Sequence, residues 1–161
     1  MKIEDLIYLL KMSEPKMLEK IYFSKVIYLI EWKYILLNNK PLLDIEFENN
    51  NSGPTFDNYL KYFEDIPNIN SFTENFSHIP EVHDIIFYLF EKTERLEYTS
   101  FVNLVFSTYP FITSNKYDIL NLVQCAKNYK EILNKEELSK IENLDIKRKS
   151  NFLKKVKKIF Q

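Results

Sequence analysis

The histidines and their acidic neighbours are the first residues whose types could support chemistry. The chain has two histidines, His78 and His83, with Glu81 and Asp84 close by, and imidazole and carboxylate groups together are common ligands of zinc. A spacing of five residues does not bring two side chains to one face of a helix, and the chain contains no HExxH motif. We therefore expect no metal site and no bound cofactor.

The remaining candidates for catalysis are a cysteine, pairs of acids and glycine-rich loops. Cys125 would need a nearby histidine to act as a nucleophile, and a lone cysteine inside a helix is more often a small packing residue. Glu46 and Glu48 could act as paired carboxylates, but solvated surface acids are far commoner. Because Gly53 is the only glycine, GxGxxG and Walker A loops are excluded. The sequence predicts a noncatalytic protein.

Charge is unevenly distributed along the chain. The net charge of the 161 residues is −1, and the segment from Lys147 onward is +7 without a single acid, which leaves −8 for residues 1–146. The basic residues of this tail are Lys147, Arg148, Lys149, Lys154, Lys155, Lys157 and Lys158. Such a tail could be a solvated helix end, an amphipathic helix on anionic lipid or in a partner's groove, or a nonspecific nucleic-acid contact.

One long segment dominates the pattern of apolar residues. Residues 13–39 predict a single helix, with Ser13 as its N-cap, Pro15 in its first turn and apolar residues around most of its circumference. Charged residues interrupt this segment, so it is not a membrane span. Because a helix of this kind must be covered on most sides, we expect a mainly α fold, a compact helical domain built around this helix.

The other predicted elements follow from periodicity and from turn residues. We expect helices over 2–12, 55–64, 81–92, 100–108 and 115–134, a small β element over 42–48, a polar loop over 49–52 and a long loop over 66–80. Thr99 and Ser114 are predicted N-caps, Pro54 is predicted to start the helix over 55–64, and Pro110 to end the helix over 100–108. We predict one helical domain over 1–134 and a basic helical extension over 135–161.

Three stretches follow one another with the order and spacing of known family motifs. They are LEKIYF at 18–23, then Pro41-Leu42 followed by Glu48 and Gly53-Pro54, and last the segment 100–111. They resemble the L-Q-K-L-L-Y, P-L…E-A-W-x-x-G-P-V and L-x-x-x-x-H…P-W motifs of the Panacea domain, a SocA-like antitoxin family. The chain departs from this pattern at Asn49, Asn50 and Phe106, which replace a small residue, an aromatic residue and a histidine.

The resemblance implies a mostly helical domain without a known catalytic site. Members of the family often act as antitoxins that bind a toxin encoded beside them, and they are common on phages and mobile elements. We therefore expect a protein partner, a toxin or another effector, bound at a surface near the Gly53-Pro54 turn and the loop over 66–80. The candidate partner-binding residues are Glu48, Asn50, Ser52, Gly53, Pro54 and Phe56. The alternative is a protein that binds nucleic acid or anionic membrane through its basic tail.

The cellular setting is predicted from the cysteine content and the first residues. A single cysteine excludes an intramolecular disulfide and suits a reducing compartment. The first residues include the acids Glu4 and Asp5 and lack the layout of a signal peptide. We expect a cytoplasmic protein.

Overall fold

Helices make up most of the computed structural model, which describes residues 1–73 and 79–134. The elements are α1 (Ile3–Ser13), α2 (Phe23–Asn38), β1 (Phe47–Asn50), β2 (Gly53–Phe56), α3 (Tyr59–Asp65), α4 (Ile79–Thr93), α5 (Tyr98–Phe106), α6 (Tyr109–Thr113) and α7 (Leu122–Asn134). The mainly α fold class is confirmed. The predicted extension over 135–161 and part of the predicted loop over 66–80 lie outside the described residues.

The centre of the fold is α2. Every residue from Phe23 to Leu36 is buried, including the large side chains of Tyr28 and Trp32. The helix α4, the strand β2, the helix α7 and a 3-10 helix over Pro15–Leu18 pack against it. The predicted central helix is therefore confirmed as the core of the domain. Neither α2 nor another helix of the described ranges has the length and apolar content needed to cross a membrane.

The beginning of this helix differs from the prediction. Ser13 ends α1 and its hydroxyl donates a hydrogen bond to the Leu9 carbonyl at 2.7 Å, so it does not cap a following helix. Glu14 has φ −138° and ψ 69°, because the residue before a proline is disfavoured in the helical region. Pro15 then starts the 3-10 helix. The predicted helix over 13–39 was wrong before Phe23, where α2 begins.

The predicted strand over 42–48 starts too early. In the structure β1 begins at Phe47 and pairs antiparallel with β2, with Phe47 opposite Phe56. The backbone N–H groups of Leu42 and Leu43 donate to the carboxylate of Glu31, each at 3.1 Å. These two groups are therefore not available to a β ladder, and the chain bends at this point.

The residues predicted as a polar loop and a helix start form a β hairpin instead. Asn50 pairs with Gly53, so Asn51 and Ser52 make the turn. Pro54 lies inside β2 and does not begin a helix, which puts the start of α3 at Tyr59.

The later helices keep their predicted order with different ends. The helix predicted over 81–92 is confirmed as α4, but Thr99 lies inside α5 and Pro110 lies inside α6. Ser114 follows α6 and does not cap α7. The side-chain oxygen of Asn121 accepts a hydrogen bond from the Gln124 N–H at 3.1 Å, as an N-cap does, and α7 therefore begins later than predicted.

Tyr28 connects α2 to the hairpin and to α6. Its ring packs edge-to-face on the rings of Phe47 and Phe111. Its hydroxyl lies 2.6 Å from Thr108 Oγ1, and the Thr108 hydroxyl donates to the Val105 carbonyl at 2.9 Å. The Tyr28 hydroxyl is therefore the donor in this pair. Burial raises the pKa of Tyr28, so it keeps its proton at neutral pH.

This hydrogen bond can be tested with a double-mutant cycle. We expect Tyr28→Phe and Thr108→Val each to lower the free energy of unfolding by about 1–2 kcal/mol, because the first removes the donor to Thr108 Oγ1 and the second leaves the buried Tyr28 hydroxyl without its acceptor. The double variant should cost less than the sum of the two single variants. Urea unfolding measures all three, with Tyr98→Phe at an exposed position as the control. Costs that simply add would contradict the coupling.

Candidate partner-binding groove

An open groove of about 1160 Å³ lies beside the β hairpin. Four parts of the chain line it: the end of α2, the segment from Pro41 through β1, the end of β2 with the start of α3, and the segment 119–123. These parts are far apart in the sequence, and the packing of the hairpin against α2 brings them together. The volume is large enough for several side chains of a partner.

The groove is acidic. Five carboxylates line it, and no lysine or arginine is found among its described lining residues. The acids are Glu31, Asp44, Glu46, Glu48 and Asp57. Apolar and aromatic side chains lie between them, including Ile45, Tyr59 and Ile119. Four of these acids, Asp44, Glu46, Glu48 and Asp57, are at least partly exposed, and their charges give the groove a negative potential that attracts cationic groups.

Hydrogen bonds on both edges hold β1 in place. One edge pairs with β2. On the other edge, the Asn49 N–H donates to the Asp118 carbonyl at 2.9 Å, and the Leu120 N–H donates to the Phe47 carbonyl at 2.7 Å. The segment leading to α7 therefore behaves as a short third strand. It places the side chain of Ile119, which is 56% exposed, beside Glu48.

The structure brings together three of the six partner-binding residues predicted from the sequence. Glu48, Asn50 and Phe56 line the groove, although Phe56 is buried and packs mainly on other aromatic rings. Ser52 is exposed at the hairpin turn outside the lining residues, and Gly53 with Pro54 is buried in β2. The role of Gly53 and Pro54 is therefore to build the hairpin. The predicted tail residues 147–158 lie outside the described ranges.

Several lining residues of the groove were not predicted from the sequence. The alternation of Asp44, Glu46 and Glu48 with apolar residues predicts that the three acids share one side of a strand. All three line the groove, but so do Leu43, Ile45 and Phe47, and β1 begins only at Phe47, so the alternation was a signal for this stretch and not for its acids alone. Asp57 and Ile119 had no such signal, because only the folded structure brings them to the same groove.

Glu31 fixes the wall of the groove to the central helix. Its side chain is only 2% exposed, and its carboxylate accepts the N–H groups of Leu42 and Leu43. The amino group of Met1 donates to the Leu42 carbonyl at 2.8 Å. Burial raises the pKa of Glu31 to about 7, while the two backbone hydrogen bonds and the positive amino terminus act in the opposite direction.

Within the described part of the chain, the other candidates for chemistry do not come together in a second site. Cys125 is partly buried, and burial raises the pKa of its thiol, so it is less easily ionised than a free cysteine. His83 is exposed on α4, and His78 lies outside the described residues. Across 1–73 and 79–134, no group of three or more His, Cys, Asp and Glu side chains could hold a metal ion.

Comparisons with known proteins do not assign the chain to a family. No protein-family model, no curated protein and no solved structure matches it. The resemblance to the Panacea domain therefore stays a prediction from its motifs.

The pH dependence of stability tests the burial of Glu31. A carboxyl whose pKa is raised in the folded state binds its proton more tightly there than in the unfolded chain. The contribution of Glu31 to the free energy of unfolding is therefore largest below about pH 4.5. It falls by about 3 kcal/mol as the pH rises to about 7. We expect Glu31→Gln to remove this loss. Urea unfolding of both proteins between pH 5 and 8 measures the difference, and parallel pH profiles would contradict it.

The backbone of the hairpin predicts the effect of a substitution at Gly53. Its φ is +113°, which side-chain-bearing residues rarely adopt, and an added Cβ would lie 3.0 Å from Cε of Lys25. The end of the lysine side chain can move, so the main cost is backbone strain. We expect Gly53→Ala to lower the free energy of unfolding by about 1–3 kcal/mol.

Thermal or urea unfolding measures this cost, and Ser52→Ala in the same exposed turn is the control. The control should change stability by less than about 0.5 kcal/mol. An equal, small effect of both substitutions would show that the turn does not need the glycine.

Proposed function

We propose that the chain is a noncatalytic protein-binding module that neutralises a toxin or another effector by binding it directly in the hairpin groove. The observation that supports this proposal is the composition of the groove, where five carboxylates surround apolar side chains without a basic residue among the described lining residues. A surface of this kind fits a partner segment that carries lysine or arginine together with apolar residues.

The construction of the groove supports binding by a preformed surface. Hydrogen bonds hold β1 on both edges, and Glu31 holds the segment at Leu42 and Leu43 against a fully buried helix. A binding surface that is already ordered pays less conformational entropy when the partner docks. The partner can therefore gain affinity from a small number of charged and apolar contacts.

The proposed class of partner comes from the resemblance to the Panacea domain. In that family the partner is often a toxin encoded by a neighbouring gene. As part of the proposal, we place this chain in the cytoplasm. The motif residues Glu48 and Gly53 belong to the hairpin beside the groove. We extend the family's activity to this chain as a proposal, with the groove as the surface that covers the toxin or effector.

The alternative function, binding of nucleic acid or anionic membrane through the basic tail, concerns residues outside the described ranges. An acidic groove repels phosphate groups. The described part of the chain therefore favours a protein partner.

Coexpression with the products of adjacent genes tests the proposal. We expect one such product to copurify with this chain and to be toxic without it. The variant Asp44→Lys/Glu46→Lys should weaken this binding roughly tenfold or more and abolish rescue of growth, because it reverses two exposed charges in the groove.

The matched control is Asp84→Lys/Glu91→Lys, which makes the same change of net charge at exposed positions of α4. The control should keep wild-type affinity and rescue. Wild-type binding by the groove variant would contradict the site, and failure of every neighbouring gene product to bind would contradict the function.

A further inference from the structure

The charge of the groove matches a segment of this same chain. The five carboxylates belong to the part of the chain that sums to −8, whereas residues 147–161 sum to +7. The intervening residues 135–146 carry more acids than bases. Net positive charge is therefore concentrated in residues 147–158, whereas the linker that leads to them has a net charge of −2.

We propose that the basic segment 147–158 binds in the hairpin groove of its own chain and competes there with the partner. This inference rests on the proposed function of the groove as a binding site. It identifies the chemistry of the occupant, a lysine-rich stretch with apolar residues, and it makes partner binding depend on displacement of that stretch.

The length of the chain permits this contact. Leu122 and Val123, at the beginning of α7, line the groove. At about 1.5 Å per residue, the thirteen residues of α7 place Asn134 about 20 Å from that point. The twelve residues 135–146 can span up to about 40 Å when extended. Lys147 can therefore return to the groove.

The side chains on the two surfaces are complementary in type. Apolar residues of the segment recur at helical spacing between the lysines, as in Leu153 and Val156. In the groove, Ile45 and Ile119 lie among the acids in the same way. Lysine ammonium groups can pair with exposed carboxylates while apolar side chains cover the surface between them.

Another hollow of the described structure is a weaker match. It has a volume of about 490 Å³, and its lining includes two acids, Glu4 and Asp65, together with the basic residue Lys61. A basic segment in this hollow would be repelled by the positive charge of Lys61. The larger groove has more acids and no described basic residue in its lining, so it is the favoured position.

Binding within one chain gives the segment a concentration advantage. A short tether makes the effective concentration of the segment about millimolar, so even weak contacts keep the groove occupied. A partner must then supply a better basic and apolar surface. Loss of the tail charges should consequently strengthen partner binding, whereas loss of the groove charges should weaken it.

Carbodiimide cross-linking of the full chain tests the position of the segment. This reagent joins a lysine to a carboxylate that it contacts, and mass spectrometry identifies the pair. We expect cross-links within monomers from Lys154, Lys155, Lys157 or Lys158 to the exposed acids of the groove, above the level at Asp84 and Glu91. Uniform cross-linking of all surface acids, or cross-links only between two copies, would overturn the proposal.

A second measurement detects release of the segment. Vesicles containing phosphatidylserine should bind Asp44→Lys/Glu46→Lys more strongly than Asp84→Lys/Glu91→Lys, because only the groove variant frees the tail and both variants have the same net charge. Equal binding by the two variants would show that the tail is already free and would overturn the proposal.

Partner affinity separates this inference from the proposed function. Replacement of the four lysines 154, 155, 157 and 158 by glutamine should raise affinity for the partner roughly threefold to tenfold by removing the competitor. If this variant binds like wild type while the groove variant loses binding, the inference fails and the proposed function stands. If the cross-links form but the groove variant keeps its partner, the proposed function fails and the inference stands.

Discussion

The groove depends on one buried carboxylate, that of Glu31. Because α2 is covered on all sides over Phe23–Leu36, this acid cannot reach water and needs hydrogen bonds inside the protein. The N–H groups of Leu42 and Leu43 provide them. The same bonds prevent these residues from joining the sheet and direct the chain along the edge of the groove. The need of a buried carboxylate for hydrogen bonds thus determines the path of the chain at the edge of the groove.

Much of the helical fold could be predicted because apolar periodicity reports burial directly. The buried face of α4 and the central position of α2 follow from that pattern. The hairpin could not be found in this way, since asparagine is a poor strand former and the bonds that hold Asn49 come from Tyr117 and Asp118. Gly53 adopts a φ of +113°, but the sequence does not reveal this, because a hairpin and a helix start both accommodate glycine followed by proline.

The candidate site likewise combines residues that are neighbours in the sequence with residues that only folding brings together. The alternation over 43–48 could point to this stretch, but its apolar and acidic residues both line the groove, so the pattern could not select the acids. The contribution of Ile119 could not be predicted, because it depends on pairing with Glu48 across a large separation in sequence. Local patterns identify a charged stretch, whereas only tertiary packing shows that the stretch faces a concave surface.

An acidic groove favours an occupant of opposite charge. The acids that line it create a negative potential at one concave surface. The hydrogen bonds of β1 and the packing of α2 hold the segments that carry these acids in place. A cationic segment that enters the groove neutralises part of this charge and binds only the folded state, so it must also stabilise the fold. Binding and stability are therefore linked through the same carboxylates.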